Sequence, residues 1–199
     1  MSSRYVYLAR HGHADSEEAG LSDRGRRQAE LLGARLAGVP LDAITHSPLA
    51  RATETAAGVL TAASWAGIEP ESSAIVGDYP PYLPAQVPAA FAPLVEGWSA
   101  GELREGPRLA VEALARFAVP ADRETHELVI THSFLIGWFV RDALGAPPER
   151  WMGLNTGNAA LTVIRYSHDR PPALMLHNDM SHLPPELRWT GFSPQLRVG

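Results

Sequence analysis

The sequence predicts an α/β fold in which short buried strands alternate with helices. Three short runs that are predicted to form strands support this prediction, over residues 5–9, 41–46 and 127–131. Each run stops abruptly at polar or charged residues, as expected where a strand gives way to a loop or a helix. Ligands of open α/β sheets bind at the carboxyl ends of strands, so the residues after these runs are the first candidates for a functional site.

The first predicted strand is followed directly by Arg10, His11 and Gly12. Arginine presents a planar fork of donors that suits phosphate. Glycine allows the backbone to turn and to approach a ligand closely. Histidine offers a nitrogen that can attack a substrate or transfer a proton near neutral pH. This combination indicates an anion site, and a surface arginine beside a structural histidine is the alternative that the stretch alone leaves open.

The first helix is predicted to begin at Ser22, a favourable N-cap residue, and to end before Gly38 and Pro40. Its apolar face carries Leu32 and Leu36, which lie at helical spacing. The second predicted strand follows this helix.

A second helix is predicted around Pro48, because proline fits the first turn of a helix. Arg51 lies one turn into this helix, where the helix dipole disfavours a cation. An arginine in that position favours a role in anion binding. The alternative is a surface arginine paired with Glu54 or Glu30.

The middle of the chain is rich in proline. A third strand is predicted over residues 73–77, and the segment 78–84 contains three prolines and two tyrosines, which predict a rigid loop. Two helices are expected next, over about residues 88–97 and 107–118. We expect residues 78–106 to form a cap or loop region of one domain that covers residues 1–199.

The strand predicted over residues 127–131 leads into His132, and residues 134–144 are predicted to form a buried helix that is apolar on almost all sides. His132 therefore lies at a strand-to-helix turn, where free backbone N–H groups favour an anion. This placement repeats that of His11. Two late strands are predicted over residues 160–166 and 173–176, followed by a polar tail from Pro184 that we expect to be partly unstructured.

Composition limits the possible functions. The net charge is −5, which argues against general nucleic-acid binding because that function needs a basic surface. The chain has no cysteine, which excludes disulfides and thiolate zinc sites. There is no apolar run of membrane-spanning length and no secretory signal before the first strand, so we expect a cytoplasmic protein that does not bind a membrane. The sequence does not predict an oligomeric state.

Taken together, five motifs in this order resemble the histidine phosphatase superfamily, the phosphoglycerate-mutase-like proteins. The motifs are Arg10-His11-Gly12, Leu21-Ser22-x-x-Gly25-x-x-Gln28-Ala29, Ser47-Pro48-Leu49-x-Arg51-Ala52-x-x-Thr55-Ala56, Thr131-His132-Ser133 and Asn178-Asp179-x-Ser181-His182-Leu183.

The resemblance implies a three-layer α/β/α sandwich with a mostly parallel central sheet. It also implies that His11 is the nucleophile that takes the phosphoryl group, and that His11, Arg10, Arg51 and His132 form the phosphate pocket. The substrate would be a phosphorylated small molecule or a phosphoprotein. No metal or other cofactor is expected, because the arginines supply the positive charge that phosphoryl transfer needs.

The general acid of this family is usually a glutamate after the third strand. Here no glutamate follows residues 75–77, and Asp78 stands in that place, so the acid role passes to Asp78. Glu71 and Glu102 are competing candidates, and a structural role for Asp78 in capping the proline-rich turn is the alternative. His13 stands where many members carry glutamate, and no role is assigned to it.

The segment between Gly12 and Leu21 is short, whereas the glycolytic mutases carry a longer insertion there. Hydrolysis of a phosphomonoester is therefore expected, with mutase-type phosphotransfer as an alternative. A non-catalytic module that binds phosphate or a phosphoprotein is a second alternative. A metallohydrolase based on His11, His13 and His132 is disfavoured, because two neighbouring arginines would repel the metal.

Overall fold

The computed structural model describes residues 2–16, 19–63, 65 and 67–192. Within these residues the chain forms one six-stranded sheet with helices on both faces. The main elements are β1 (Ser3–Arg10), α1 (Asp23–Leu36), β2 (Ala43–His46), α2 (Ala50–Ala62), β3 (Glu71–Ser72), α3 (Ala92–Glu96), α4 (Ala100–Phe117), β4 (Thr125–Thr131), α5 (Ser133–Ala143), β5 (Leu161–Ser167) and β6 (Arg170–Asp179).

The strand order in the sheet is β3-β2-β4-β1-β5-β6. The pairings β3–β2, β2–β4 and β4–β1 are parallel, whereas β5 and β6 join in antiparallel orientation. The register of β1 against β4 places Arg10 opposite Thr131. His11 and His132 therefore leave the sheet side by side at the same edge.

The two faces of the sheet bury separate apolar clusters, because successive side chains of a strand point to opposite faces. On one face Ala9 and Leu128 pack with residues of α1 and α2 such as Leu32. On the other face Leu8 and Val129 pack against α4 and α5. The predicted three-layer α/β/α sandwich with a mostly parallel sheet is therefore confirmed.

Three predicted elements differ from those in the structure. Residues 73–77 do not form a strand: Ala74–Val76 is a 3₁₀ helix, and β3 lies just before it. This apolar run is too short for its periodicity to distinguish a strand from a turn. The helix α2 begins at Ala50, so Pro48 precedes the helix instead of forming its first turn.

The helix predicted from residue 107 begins at Ala100, with Pro107 in its interior. Ser99 accepts a hydrogen bond from the Glu102 backbone N–H, and the Glu102 carboxylate accepts one from the Ser99 backbone N–H. This capping box was visible in the sequence as Ser-x-x-Glu, and it sets the start of the helix in place of the proline.

The proline-rich segment 78–88 contains no helix or strand, and its tyrosines pack into the protein. Tyr79 is buried, and Tyr82 packs against the same apolar cluster. The Trp151 indole N–H donates to the Tyr82 carbonyl over 2.9 Å. These contacts hold the segment that carries Asp78 against the body of the domain.

The chain from Pro184 to residue 192 folds back onto the domain, with a 3₁₀ helix at Pro185–Leu187. The rest of the predicted polar tail, residues 193–199, lies outside the described residues. None of the helices in the described ranges is both long and apolar enough to cross a membrane.

The substitutions Gly106→Ala and Gly101→Ala together test how closely α4 packs against the proline-rich segment. A Cβ at Gly106 would overlap the Pro80 carbonyl oxygen, whereas a Cβ at Gly101 would meet only the Ser99 hydroxyl oxygen at 3.6 Å. Gly101→Ala should stabilise the protein by about 0.5–1 kcal/mol, because alanine is the better helix former. Gly106→Ala should destabilise it by about 1–3 kcal/mol through the steric overlap. Urea unfolding of both variants measures the difference, and equal effects would contradict the close packing.

Candidate active site

The loop after β1 is held on several sides by hydrogen bonds. The His11 backbone N–H donates to the Thr131 carbonyl over 3.0 Å. The Gly12 N–H donates to the Thr55 hydroxyl oxygen over 2.9 Å, and the Asn158 side-chain amide donates to the His11 carbonyl over 3.1 Å. These bonds tie the loop to β4, to α2 and to the segment before β5, so the backbone that carries the His11 ring is held in place.

The His11 ring is buried and carries its proton on Nδ1. That nitrogen lies 2.7 Å from the Gly12 carbonyl oxygen, which can only accept a hydrogen bond. Nε2 faces a donor, the Arg51 Nε–H, at 3.2 Å. Burial holds the pKa of His11 well below its ordinary value, and the nearby His132 and Arg10 lower the pKa further. The ring is therefore neutral at physiological pH, with the lone pair of Nε2 accepting the hydrogen bond from the Arg51 Nε–H.

Arg10 is oriented by two backbone carbonyls. Its Nη1 donates to the Thr156 oxygen over 2.6 Å and to the Gly191 oxygen over 3.3 Å. Its Nε is buried and has no hydrogen-bond partner in the described part of the chain. Burial lowers the pKa of Arg10 to about 10, so the guanidinium remains charged at neutral pH. Arg10 therefore brings a charged guanidinium to the cavity that it lines.

Arg51 is also buried, which excludes the alternative of a surface arginine. Its Nη2 donates to the Asp78 carboxylate over 2.8 Å, and its Nε faces His11 as described above. The guanidinium thus bridges the candidate nucleophile and the candidate acid.

His132 is buried beside His11, with the two ring centroids 5.0 Å apart. Its Nδ1 lies 3.3 Å from the Asp78 Oδ2, and its Nε2 lies 2.8 Å from the Ser47 Oγ. Burial lowers the pKa of His132 well below its ordinary value, and Arg51 lowers it further. His132 is therefore a second neutral imidazole in the site.

Asp78 lies at the edge of the site, with 32% of its side chain exposed. The loss of solvent around the carboxyl group raises its pKa, although Arg51 and Arg10 oppose the increase. The charge of Glu102 raises the pKa further. Glu102 itself caps α4, and Glu71 is exposed on β3. Of the three acidic candidates, Asp78 is the one in contact with Arg51 and His132.

The N-termini of two helices meet at the site, and neither carries a side-chain cap or an acidic residue in its first turn. These helices are α2, which contains Arg51, and α5, which begins after His132. By contrast, α1 is capped by Ser22 and α4 by Ser99, each with an acidic residue in the first turn. Uncapped N–H groups and the positive ends of two helix dipoles add to the attraction for an anion.

Several of the residues described above line a cavity of about 270 Å³, with His132 packed behind this lining. Its lining comprises Arg10, His11, His13, Ala14, Ser16, Arg51, Asp78, Asn158 and Gly191. Two guanidiniums and two neutral imidazoles against one carboxyl group give the site a net positive charge, which suits a phosphate group. Among the described residues no group of three or more His, Asp or Glu side chains is placed to hold a metal ion.

Some site residues were not identified by sequence reasoning. Ser47, Asn158 and Gly191 contact His132, His11 and Arg10, respectively. Ser47 belonged to a recognised motif, but only the fold shows which atom its hydroxyl meets. Asn158 and Gly191 come from distant parts of the chain, so no local pattern indicated them.

His13 lines the cavity and also stabilises the start of α1. Its Nδ1 lies 2.8 Å from the Ser22 Oγ, and its backbone N–H donates to the Gln28 side chain over 2.8 Å. The contact with the N-cap residue gives His13 a structural role that the sequence did not indicate.

Comparison with known proteins shows similarity to one family over most of the chain. The model of the histidine phosphatase superfamily (branch 1) matches residues 6–74 and 85–179. The chain is 33% identical over 191 residues to the mitochondrial serine/threonine-protein phosphatase Pgam5 of Caenorhabditis briggsae and 34% identical over 191 residues to that of Caenorhabditis elegans. Each alignment covers 92% of this chain and 66% of the relative. The structure of Bacillus stearothermophilus YhfR superposes with a TM-score of 0.67 at 23% identity, covering 90% of this chain and 98% of that one.

The chain therefore spans about 66% of the length of these curated relatives. The relatives also show that the expectation of a cytoplasmic protein is wrong, because they are named as mitochondrial proteins. The expectation rested on the composition and on the start of the chain. The composition of a folded domain does not specify a compartment, since targeting depends on separable segments.

The substitution Gly191→Ala tests whether the position of the Arg10 guanidinium beside Gly191 matters for anion binding. Its φ is +82°, and a Cβ there would lie 2.5 Å from the Arg10 Nη1 and 2.7 Å from the Asn158 Oδ1. Gly191→Ala should displace the guanidinium and weaken binding of inorganic phosphate by about tenfold, the usual effect of losing one charge-assisted hydrogen bond. Isothermal titration calorimetry measures this affinity.

Gly145→Ala is the matched control for that experiment. Gly145 also has a positive φ, +60°, but a Cβ there would meet nothing within 4 Å. Both variants carry similar backbone strain, so only the first should lose phosphate affinity. Equal affinities in the two variants would show that Gly191 does not position Arg10.

Proposed function

The chain belongs to the histidine phosphatase superfamily (branch 1), and from this membership we propose that it hydrolyses phosphomonoesters through a phosphohistidine on His11. The observation that carries the proposal is the buried His11 Nε2, which accepts a hydrogen bond from the Arg51 Nε over 3.2 Å at a cavity that both residues line. A nucleophile and a phosphate-binding group thus lie side by side.

In the first step the His11 Nε2 attacks phosphorus, and the bond between phosphorus and the leaving-group oxygen breaks. Charge on the outer phosphoryl oxygens is stabilised by Arg10 and Arg51, which need little movement because the fold already holds them. His132 supplies a further donor beside them. His11 needs no base to activate it, because its Nε2 carries no proton.

Asp78 supplies the proton that the leaving oxygen needs. In the second step a water molecule attacks phosphorus, the bond between phosphorus and Nε2 breaks, and the Asp78 carboxylate takes a proton from that water. A raised pKa favours the acid form at the start of the cycle. An anionic substrate beside Asp78 offsets the two guanidiniums, which raises the pKa again.

We propose phosphorylated serine or threonine side chains as the substrate class. The support is the similarity to the Pgam5 relatives, which are named serine/threonine-protein phosphatases. The short segment between Gly12 and Leu21 supports transfer to water over transfer to a second hydroxyl. We also propose that residues 78–106 act as the cap that shapes the entrance for the leaving group, since this region carries Asp78.

The nucleophile is tested by His11→Ala. This variant should lose turnover of p-nitrophenyl phosphate by on the order of 10³-fold or more, because the covalent route is removed. Wild-type protein quenched during turnover should contain an acid-labile phosphoenzyme that the variant lacks. His126→Ala, at the opposite end of the sheet, should keep turnover within about twofold of wild type. Phosphate binding without turnover in the wild-type protein would support the binding-module alternative instead.

The acid is tested by comparing leaving groups across pH. Alkyl phosphates need a proton on the leaving oxygen, whereas p-nitrophenyl phosphate does not. Because the Asp78 pKa is raised, its acid form persists to higher pH than in an ordinary aspartate, and alkyl-phosphate turnover should fall as pH rises through that pKa. Asp78→Asn should slow alkyl phosphates about 10²-fold or more, leave p-nitrophenyl phosphate within a few-fold, and remove this pH dependence. Equal slowing of both substrates would assign Asp78 to positioning only.

A further inference from the structure

A buried glutamine on α1 belongs to one of the sequence motifs, yet the proposed reaction does not use it. Gln28 is fully buried on the face of α1 that also carries apolar side chains such as Ala29 and Leu32. A buried amide is unfavourable unless its oxygen and its nitrogen both find partners. The partners of Gln28 therefore indicate what this side chain does.

The hydrogen bonds of Gln28 select one orientation of its amide. The His13 backbone N–H, which can only donate, bonds to the Gln28 Oε1 over 2.8 Å. The Gln28 Nε2 donates to the Leu187 carbonyl, which can only accept, and to the Thr190 Oγ1, each over 2.8 Å. Exchanging the amide oxygen and nitrogen would set two donors against each other at His13 and two acceptors against each other at Leu187. The amide therefore has one orientation that satisfies its partners.

The contact with His13 reaches the candidate nucleophile through one rigid peptide unit. The peptide bond between Gly12 and His13 is trans, so the Gly12 carbonyl and the His13 N–H point in opposite directions in one plane. Gln28 bonds the N–H on one side, and on the other side the carbonyl oxygen lies 2.7 Å from the His11 Nδ1. The helix α1 lies directly against this peptide, since a Cβ at Gly25 would overlap the His13 carbonyl oxygen. The carbonyl cannot turn away from His11 without breaking the bond to Gln28.

The contacts with Leu187 and Thr190 hold the chain segment that meets Arg10. This segment begins 159 positions after Gln28 in the chain. Directly after Thr190, the Gly191 carbonyl accepts a hydrogen bond from the Arg10 Nη1 over 3.3 Å. One side chain of α1 thus joins the loop of the candidate nucleophile to the segment beside Arg10.

We infer that Gln28 is a positioning residue that sets the His11 ring and the Arg10 guanidinium relative to each other. On one side it directs the carbonyl that accepts from the His11 Nδ1–H, and on the other it holds the segment that accepts from Arg10. The inference rests on the proposed function for the reaction that this arrangement serves. An amide suits this task because it accepts and donates at once, whereas an ionised carboxylate would lack the donor and repel an anion.

The inference is tested first by Gln28→Met, which removes both contacts and keeps a neutral side chain of similar length. The freed peptide should protect the His11 Nδ1–H less, so this proton should exchange with water on the order of tenfold faster than in the wild type. NMR of ¹⁵N-labelled protein measures the exchange, with the resonance assigned by its absence from His11→Ala. The kcat/KM for p-nitrophenyl phosphate should fall on the order of tenfold, as expected when buried hydrogen bonds are lost. An unchanged exchange rate would overturn the inference.

Trp65→Phe is the matched control for a general loss of stability. It removes the hydrogen bond from the Trp65 indole N–H to the Val39 carbonyl, 2.8 Å long. That bond joins the segments that follow α1 and α2, away from the site at the start of α2. Trp65→Phe should therefore change proton exchange and kcat/KM by no more than about twofold. If it reproduced the effects of Gln28→Met, these would reflect lost stability and the inference would be wrong.

Thr190→Val tests the second contact alone, and it does so even if Gln28→Met does not fold. The segment beside Arg10 loses one hydrogen bond, so the affinity for inorganic phosphate should fall a few-fold in isothermal titration calorimetry. Exchange of the His11 Nδ1–H should keep the wild-type rate, because the contact with the Gly12–His13 peptide remains. In the Gln28→Met background the same substitution should cause no further loss of phosphate affinity.

Unchanged phosphate affinity in Thr190→Val, or a fully additive loss in the double variant, would contradict the role of Gln28. Absence of turnover in the wild-type protein would overturn the proposed function alone, because neither proton exchange nor phosphate affinity depends on turnover.

Discussion

The parallel pairing of β1 with β4 is the constraint on which the site depends. It sets Arg10 opposite Thr131, so the residues that follow each strand emerge together at one edge of the sheet. The ring centroids of His11 and His132 are 5.0 Å apart as a result. A shift of one residue in this register would direct the strands' side chains to the opposite faces and separate the two imidazoles.

The second constraint is the burial of two guanidiniums in one small site. Arg10 and Arg51 repel each other, and their burial is unfavourable unless other groups compensate. Backbone carbonyls of Thr156 and Gly191 compensate for Arg10, and Asp78 does so for Arg51. One buried donor, the Arg10 Nε, still lacks a partner within the described residues. The site therefore attracts anions, and the surrounding fold holds the two guanidiniums in place.

The two imidazoles remain neutral beside these cations, and hydrogen bonds from outside the cavity give each ring its orientation. The Gly12 carbonyl accepts a hydrogen bond from the His11 Nδ1, and the Ser47 hydroxyl lies within hydrogen-bond distance of the His132 Nε2. Burial explains the neutrality of both rings, since it lowers both pKa values. Protonation state and direction are thus separate properties, set by burial and by neighbouring polar atoms, respectively.

The sequence by itself determined the alternation of strands and helices, and the motifs around Arg10, His11, Arg51 and His132, because strand ends and motif residues are local features. The capping box at Ser99 was also a local signal, but the helix was predicted to start at Pro107 instead. Only the tertiary structure decided that residues 73–77 form a turn, that Asp78 contacts Arg51, and that Ser47 and Gly191 hold two site residues in place. Such contacts join atoms from distant parts of the chain, and a linear pattern carries no information about which atoms the folded backbone brings within hydrogen-bond distance.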